Sequence, residues 1–472
     1  MASVQEAVER DAGLSGRRIV LATFGSLGDL HPFLALAKEC QQRGAEPIVA
    51  TSEVHRVRVE RLGLAFRPIR PDLRELEHDP VLFRKAMDRK SGSEFVFREI
   101  FMPHLRAGFD DLLPVVRDAD LLVSHPIVFV GPLVAEATGI PWASVMLAPM
   151  SFVSTHDFPV LPQFPWMRHF RPLGPRFFAQ VVRHSRRMIA GWTEPVERLR
   201  REVGLPPGGL TFFEGSNAPD CVLALFSELL GAPQPDWPPQ TVQTGFAFFD
   251  DAHATGMDAG LARFLDAGPP PIVFTLGSSA VMDAGPFYEE SRAAAEAIGR
   301  RAVLLIGNDP RNVPRIPLPS TIVTHDYAPY SELFPRAAAL VHQGGVGTTG
   351  QALRAGKPML VVPWSHDQPD NAERVRRLGV GLPMDRERYR SRAVAKALRR
   401  LLDDPAYAAR ADEVGRRIRS EPGTVGAVDA LARYLGSPAC RSTPSPRARD
   451  RTPSPPPQVR TGTDPAGRSP SS

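Results

Sequence analysis

The sequence predicts an α/β protein with two Rossmann-like, doubly wound domains that face each other across a cleft. Three observations support this prediction. The 472 residues are enough for two or three domains of about 150 residues each. Short apolar runs alternate with longer amphipathic stretches, the pattern of parallel strands covered by helices. A proline-rich stretch at 231–245 interrupts this pattern, which then begins again.

The first half begins with a buried-strand run at 18–24, followed by a glycine-rich turn. A helix is predicted over 32–42, and a second strand at 47–51 completes a strand, helix, strand unit. Further apolar runs extend the predicted sheet at 121–124, 142–147 and 221–224. The segment 155–210 differs, because it is rich in Pro, Arg and Phe, and it predicts irregular helices inserted in this half.

The second half contains its own series of strands and helices. Its strand candidates are 271–276, 301–306, 321–324, 338–342 and 358–362, with helical stretches such as 286–299, 348–355 and 368–378 between them. The predicted organisation is therefore a flexible leader (1–16), a first Rossmann-like domain (17–230), a linker (231–245), a second Rossmann-like domain (246–436) and a Pro/Ser/Arg-rich tail (437–472). We predict that the tail is disordered, since it has too few apolar residues to offset its ordering entropy.

Composition excludes several classes of protein. The net charge of +5 does not indicate nucleic-acid binding, because six arginines and two aspartates between Ser437 and Ser472 account for +4 of it. No apolar run approaches the ~20 residues that span a bilayer, and we expect no secretory signal because the first residues lack an apolar core segment. Three cysteines without CxxC spacing exclude a disulfide scaffold or a cysteine-built zinc site. We therefore expect a cytoplasmic protein.

The most informative motif is the glycine loop at 342–350, His-Gln-Gly-Gly-Val-Gly-Thr-Thr-Gly, between a predicted strand and a predicted helix. Its glycines let the backbone approach a ligand closely, and the free N–H groups of a helix start favour an anion. A diphosphate site is the functional interpretation, and a loop that only packs is the alternative. One strand later, Asp367 and Gln368 offer the acceptors and donors that grip vicinal sugar hydroxyls, although Asp367 could instead cap the following helix.

These two loops together resemble the donor-site motif of inverting, nucleotide-sugar-dependent glycosyltransferases of the GT-B fold, the UDP-glycosyltransferase-like family 1. The resemblance covers 18–435 and is more specific in the second half. Four short sequence segments are similar to the rhamnosyltransferase B chain of rhamnolipid synthesis, namely 235–238, 244–246, 273–278 and 367–374. Bacterial sterol and macrolide glycosyltransferases share fewer of these segments.

The resemblance implies that domain 17–230 binds the acceptor and domain 246–436 the nucleotide-sugar, and it implies a role for each matching position. The donor would be a UDP-sugar or dTDP-sugar, bound without a metal or other cofactor. His342 would bind its diphosphate, supported by the loop glycines and the amide of Thr348, and Ser278 would donate to the β-phosphate. Tyr327 would lie against the base and Asp367 and Gln368 would hold the sugar. The implied donor-site residues are Ser278, Tyr327, Ala328, His342, Gly344, Gly345, Gly347, Thr348, Asp367 and Gln368. Alternatively, Ser278 only caps a helix and Tyr327 belongs to the core.

The catalytic base is predicted to be Asp29. Many relatives have a Gly-His pair followed two residues later by proline, and this chain has Gly28-Asp29-Leu30-His31-Pro32, so that Asp29 stands in the place of the histidine. Burial would raise the pKa of this carboxyl into a useful range. His125 matches the position of the family's acidic partner, which suggests a reversed dyad. The alternatives are an N-cap role for Asp29, a strand-end histidine at 125, and His31 as the base.

The acceptor is less well defined by the sequence. The likeness to the rhamnosyltransferase favours a hydroxyacyl lipid and the wider family a sterol or polyketide. The aromatic and basic segment 155–190 could shelter an amphipathic lipid, touch a membrane surface, or be an ordinary set of helices beside the cleft. Asp250-Asp251 is interpreted as a solvated pair rather than a metal motif. Two other functions stay open, a catalytically weak partner subunit and a nucleotide-sugar epimerase of the same fold.

Overall fold

The computed structural model describes residues 13–441, apart from 75, 77, 78 and 251–255, and contains two parallel sheets. The strands of the first sheet are β1 (Arg18–Ala22), β2 (Glu46–Thr51), β3 (Ala65–Pro68), β4 (Leu121–Ser124), β5 (Trp142–Met146), β6 (Val222–Ala224) and β7 (Thr241–Gln243). Their order is β3-β2-β1-β4-β5-β6-β7. The order reverses direction next to β1, so this half is doubly wound.

The second sheet has the same character. Its strands are β8 (Ile272–Thr275), β9 (Ala302–Leu305), β10 (Ile322–His325), β11 (Ala339–His342), β12 (Met359–Val361) and β13 (Gly381–Pro383), in the order β10-β9-β8-β11-β12-β13. All recorded strand pairs in both sheets are parallel; Leu21, for example, lies opposite Val49 on one side and Val123 on the other. The predicted fold class is confirmed.

Helices cover both sheets. In chain order they are α1 (Leu27–Gln42), α2 (Arg56–Arg61), α3 (Pro80–Ala86), α4 (Gly92–Phe95), α5 (Leu105–Arg117), α6 (Gly131–Thr138), α7 (Gly174–Ile189), α8 (Glu194–Glu202), α9 (Ala259–Asp266), α10 (Phe287–Ala297), α11 (Tyr330–Leu333), α12 (Val346–Ala355), α13 (Gln368–Leu378), α14 (Ser391–Asp403), α15 (Pro405–Arg419), α16 (Gly423–Gly436) and α17 (Pro438–Arg441). A π-helical segment, Val96–Phe101, follows α4. The irregular helices predicted in 155–210 include a 3₁₀ segment, Pro165–Leu173.

Three strands escaped the sequence analysis, namely β3, β7 and β13. Each lies at the edge of its sheet, where only one neighbour covers the strand. None has the continuous buried run of a central strand, since β3 buries only Phe66 and β7 is half-buried throughout. The linker prediction for 231–245 was therefore wrong at its end, because β7 still belongs to the first sheet.

The predicted ends of the two domains also need correction. Helix α16, assigned by sequence to the second domain, packs on the first, where Val428 and Leu431 share a core with Leu34. An ion pair of 2.5 Å between Arg43 Nη1 and Asp429 Oδ1 joins α16 to α1. Leu14, in the predicted flexible leader, is fully buried in the same core. The described chain continues through α17, and the rest of the predicted leader and tail lies outside the described residues.

Candidate active site

Asp29 lies at the beginning of α1, at the carboxyl end of β1. The helix begins at Leu27 rather than at the predicted Pro32, because Ser26 forms its N-cap. The Ser26 amide donates to Asp29 Oδ2 (2.9 Å), the Ser26 hydroxyl donates to the same oxygen (3.2 Å), and the Gly28 amide donates to Ser26 Oγ (3.2 Å). Asp29 is thus the N3 residue of a capping box, the third residue of the helix, rather than its N-cap.

Burial gives this carboxyl unusual acid–base properties. Removal from water raises the pKa of Asp29 from 3.8 to about 6, although the bonds from Ser26 act in the opposite direction. Gly25, at φ +108°, makes the geometry attainable, since a Cβ there would stand 2.3 Å from Asp29 Oδ2. A carboxylate with a pKa near 6 is ionised at neutral pH and still able to accept a proton.

The predicted pair of Asp29 and His125 does not form. Nδ1 of His125 is buried without a hydrogen-bond partner in the described part of the chain, and the ring stands edge-on to Phe33 with 6.3 Å between centroids. Burial lowers the pKa of His125 to about 4, so the ring is neutral. The structure favours the alternative of a buried histidine at a strand end. His31, the other candidate base, packs its ring against Phe249 at 5.3 Å.

The glycine loop connects β11 to α12, with Gly345 as the N-cap. His342 lies beneath this loop and is fully buried. The Gly344 amide donates to His342 Nδ1 (3.1 Å), so that Nε2 carries the proton and faces Met359 Sδ at 3.4 Å. Burial lowers the pKa of His342 to about 3. The imidazole therefore holds the loop backbone, and its direct contact with a diphosphate stays a prediction.

The backbone of the loop approaches the other half of the molecule. A Cβ on Gly347 would lie 3.5 Å from Gly28 Cα, beside Asp29. Gly344, at φ +91°, leaves no room for a Cβ, which would meet Val361 Cγ1 at 2.7 Å. Thr348 is buried, and its hydroxyl accepts from Gln343 Nε2 (3.4 Å). The start of α12 therefore faces the start of α1 across the cleft.

Asp367 and Gln368 stand at the start of α13, one strand further along the sheet. Asn371 connects this helix to the glycine loop, because its Nδ2 donates to Asp367 Oδ2 (2.7 Å) and to the Gly344 carbonyl (2.9 Å). Gln368 Oε1 accepts from the amides of Trp364 (2.8 Å) and Ser365 (3.3 Å). The side-chain amide oxygen of Gln368 thus stabilises the loop that precedes α13. Asp367 is the N-cap residue of this helix, but its side chain makes no capping hydrogen bond.

Two carboxyls from different halves are electrostatically coupled at this point. Burial raises the pKa of Asp367 from 3.8 to about 7, the bond from Asn371 opposes the rise, and the negative charge of Asp29 adds to it. The structure therefore brings Asp29, the glycine loop and Asp367 together around one cleft.

The remaining predicted donor residues follow the carboxyl ends of β8 and β10 in the second sheet. Ser278 is exposed in the turn after β8, next to Gly277 at φ +65°. Tyr327 follows β10 and is 60% exposed, so the alternative that it belongs to the core is wrong. Ala328 is buried beneath it in the second core. Asp250 forms an ion pair of 2.7 Å with Arg354, and Asp251 lies outside the described residues.

A segment of the first half covers the Asp367 loop. Ser93 Oγ and His366 Nδ1 are hydrogen-bonded at 3.1 Å, and Ser365 Oγ donates to the Asp88 carbonyl (3.2 Å). Phe83 and Met87 share a core with Trp364. The sequence analysis did not assign this segment a role, because its partners lie about 280 residues away. In this arrangement the cleft is closed over the Asp367 loop.

A second connection between the halves is a buried network around Arg374. Its Nε donates to Asp370 Oδ2 (2.6 Å) and its Nη1 to Asp157 Oδ2 (2.5 Å), while the Val160 amide donates to Asp370 Oδ1 (2.9 Å). Arg374 and Asp370 are almost completely buried. Helical spacing could have identified this set, since Asp370, Asn371 and Arg374 follow Asp367 on one helix at intervals of three and four.

No group of three or more His, Cys, Asp or Glu side chains suited to a metal ion exists between residues 13 and 441 where these are described. Metal independence stays a prediction. Within the same ranges, no helix combines the length and apolar character needed to cross a membrane.

Two parallel doubly wound sheets, with a glycine-rich helix start and a buried carboxyl meeting between them, define an enzyme of the nucleotide-sugar-binding class. Residues 301–434 match the family model described as the erythromycin biosynthesis protein CIII-like C-terminal domain. Over 440 residues the chain is 32% identical to O-mycaminosyltylonolide 6-deoxyallosyltransferase of Streptomyces fradiae. The alignment covers 90% of this chain and 100% of that relative.

The chain belongs to the family of UDP- and dTDP-sugar glycosyltransferases with the GT-B fold, and it is a sugar-transferring enzyme. A sterol 3-beta-glucosyltransferase of Aspergillus fumigatus is 29% identical over 433 residues, covering 89% of this chain, which spans about 30% of that relative's length. The glycosyltransferase VinC, solved in complex with dTDP, superposes with a TM-score of 0.63 at 21% identity, over 89% of this chain and 99% of VinC. The likeness to macrolide and sterol enzymes outweighs the predicted likeness to the rhamnolipid enzyme.

Proposed function

We propose that this enzyme moves a hexose or deoxyhexose from a UDP- or dTDP-sugar to a hydroxyl group of a hydrophobic acceptor, with inversion at the anomeric carbon. The observation that carries this proposal is the meeting of Asp29 with the glycine loop and Asp367 in one cleft. The names of the relatives, a deoxyallosyltransferase acting on a tylonolide and sterol glucosyltransferases, support a polyketide or sterol acceptor.

The donor diphosphate would bind at the start of α12. The first N–H groups of this helix have no partner within it, and the helix dipole favours negative charge there. His342 contributes by fixing the Gly344 amide, and Ser278 is exposed at the neighbouring strand end where it can donate to a phosphate oxygen. The exposed ring of Tyr327 would stack on the base of the nucleotide. A helix N-terminus and hydroxyl donors would thus meet the diphosphate charge without a metal.

The sugar would be held by Asp367 and its neighbours. Asp367 is fixed by Asn371 Nδ2, and Asn371 Oδ1 is a buried acceptor without a partner among the described side chains. A sugar hydroxyl could donate to either oxygen. Gln368 would contribute through its amide nitrogen, since its carbonyl oxygen is already bonded to the loop.

Transfer would proceed in one displacement. Asp29 accepts the proton of the acceptor hydroxyl while the acceptor oxygen forms a bond to C1 of the sugar. The bond from C1 to the phosphate oxygen breaks, and its electron pair leaves with the nucleoside diphosphate. Attack opposite to the leaving group inverts C1. His125 is not bonded to Asp29, so its proposed contribution is limited to the wall beside α1.

A cluster of buried aromatic rings in the core of the first half lies behind the turn that carries Asp29, and it would support the apolar side of the acceptor site. Phe24 leads into the turn that carries Asp29 and stands edge-on to Phe101 at 5.4 Å. Phe97 and Phe101 both contact Phe129, at 4.9 and 5.6 Å between centroids. The π-helical segment that carries Phe97 and Phe101 is a backbone form often found at functional sites.

The test is a transfer assay with the purified chain. UDP- and dTDP-sugars are paired with macrolactone and sterol acceptors, and products are identified by mass spectrometry and their anomeric configuration by NMR. We expect a glycoside with inverted C1, together with free nucleoside diphosphate, in the presence of a chelator. Retained configuration contradicts single displacement. An isomerised sugar nucleotide without glycoside identifies an epimerase, and transfer only after adding another protein identifies a partner-dependent subunit.

A further inference from the structure

One surface of the first half is exposed, apolar and basic at the same time. Five large apolar side chains between residues 164 and 188 are between 39% and 64% exposed, and four of them lie on or next to the 3₁₀ segment Pro165–Leu173. We call the four beside this segment the aromatic surface; its members are Phe164, Trp166, Phe170 and Leu173. The rings form a continuous row, since Trp166 is 6.1 Å from Phe164 and 5.6 Å from Phe170.

The row is anchored from below. Phe177 of α7 stacks on Phe170 at 5.9 Å, and Phe178 of the same helix stacks on Phe158 at 4.6 Å. Met167 and Phe178 are buried in a small separate core. The exposed rings therefore stand on an ordered base.

Positive charge surrounds the aromatic surface. Between Phe158 and Trp192 the chain contains six arginines and no aspartate or glutamate. Two of these arginines are paired, Arg171 with Asp157 and Arg186 with Glu214. Arg168, Arg176 and Arg187 are exposed and have no acidic partner in the described part of the chain. An apolar face flanked by unpaired arginines is complementary to an anionic lipid headgroup layer above an acyl phase.

The aromatic surface lies next to the active-site cleft. The Val160 amide, four residues before Phe164, donates to Asp370 of the helix that begins beside Asp367. Arg89, on the segment that covers the Asp367 loop, donates to the Pro162 carbonyl (3.3 Å). A bilayer at the aromatic surface would therefore stand beside the cleft between the two halves.

We infer that the aromatic surface docks this enzyme onto a bilayer that contains anionic phospholipids. A second copy of the chain is a less suitable occupant, because a two-fold interface would bring the unpaired arginines of both copies together. The inference concerns binding to the lipid and is independent of the proposed function. Exposed aromatic rings and aliphatic tips would enter the headgroup region, and the arginines would contact the phosphates.

The test is co-flotation of the full chain with vesicles of equal parts phosphatidylcholine and phosphatidylglycerol, compared with vesicles of phosphatidylcholine alone. We expect binding to the anionic vesicles and its loss in ~1 M salt, where the Debye length is about 3 Å. Because each arginine near such a surface contributes about a factor of five, Arg168→Gln, Arg176→Gln and Arg187→Gln together should lower partitioning about a hundredfold. Trp166→Ala with Phe170→Ala should lower it about tenfold or more.

Matched controls exclude general effects of charge and hydrophobicity. The exposed apolar pair Val313 and Ile316, changed to alanine, and the exposed arginines Arg58, Arg61 and Arg388, changed to glutamine, should leave flotation unchanged. Thermal unfolding with and without dTDP confirms that each variant is folded. Equal flotation of the wild type and the arginine variant overturns the inference. So does a wild type that ignores vesicles but forms a dimer that Trp166→Ala abolishes.

Discussion

At the scale of single residues, Asp29 combines a structural and a chemical property. Its side chain completes the capping box of α1 through Ser26, and burial at the same time raises its pKa to about 6. The raised pKa has a cost for folding. Above pH 6, Asp29 is ionised in both the folded and the unfolded chain. Its carboxylate is then less stable in the fold than in water, by up to about 3 kcal/mol for a pKa raised from 3.8 to about 6.

We therefore predict opposite effects of Asp29→Asn on activity and stability. The rate of transfer should fall by about 10²- to 10⁴-fold, because the amide cannot accept the proton. The free energy of unfolding at pH 8 should rise by about 1–3 kcal/mol, since a buried charge is removed while Oδ1 can still accept from Ser26. Turnover and denaturant unfolding measure these two quantities, and nucleotide binding is the control for an intact donor site.

The pH dependence gives a second check on the same variant. The stability difference between wild type and Asp29→Asn should shrink as the pH falls from about 6 to about 4, where Asp29 becomes protonated in the folded chain. The activity of the wild type should rise with pH through an apparent pKa of about 6 to 7, the range of the coupled Asp29 and Asp367. Full activity of Asp29→Asn would remove Asp29 as the base and leave His31 as the candidate.

At the scale of elements, the donor site depends on two helix starts held in register. Asn371 of α13 donates both to Asp367 and to the Gly344 carbonyl of the glycine loop. His342 holds the same loop from below through the Gly344 amide. The loop is therefore fixed at its carbonyl and at its amide by side chains from two different elements.

We predict that Asn371→Ala raises the KM for the sugar nucleotide more than it lowers kcat, because the loop and Asp367 lose their common support. The free energy of unfolding should fall by about 1–3 kcal/mol, the cost of leaving buried partners unsatisfied. Asn312 is a matched control, since its Nδ2 also donates to two buried carbonyls, those of Val281 and Ile306. Asn312→Ala should lose similar stability with an unchanged KM; a shared KM effect would refute a specific role for Asn371.

At the scale of the whole molecule, the two halves are joined through the buried ions around Arg374. Burial alone would raise the pKa of Asp157, but the charges of Arg374 and Arg377 lower it to about 2. A lowered pKa means that Asp157 stabilises the folded chain above pH 4, and that this contribution is lost as the pH falls from about 4 to about 2.

We predict that Arg374→Met lowers the free energy of unfolding by about 3–5 kcal/mol at pH 7, because it leaves the carboxylate of Asp370 buried without a counter-ion. The double variant Asp370→Leu/Arg374→Met should recover part of this loss. Arg43→Met, which breaks the pair with Asp429 elsewhere between α1 and α16, should cost less because Asp429 keeps more contact with water. Denaturant unfolding measures all three, and an equal loss in the single and double variants would contradict the argument.

The features that the sequence predicted well are those encoded by neighbouring residues. Central strands appear as continuous apolar runs, and the glycine loop and the Asp367 loop each follow such a run, so their place at the carboxyl ends of β11 and β12 could be derived. Edge strands such as β3 have no such run, since only Phe66 needs burial there. The capping box of α1 was visible as Ser26 and Asp29 but was missed, because Pro32 is the stronger local sign of a helix start.

By itself, therefore, the sequence determined two parallel sheets, the loops of the proposed donor site and the carboxyl that faces them, since spacing and turn chemistry act between near neighbours. Only the tertiary structure decided that His342 points inward, that His125 stands apart from Asp29, and that Arg374 joins two halves through Asp157, which lies more than two hundred residues away. Burial and charge pairing are set by distant residues; burial raises the pKa of Asp29, and charge pairing lowers that of Asp157.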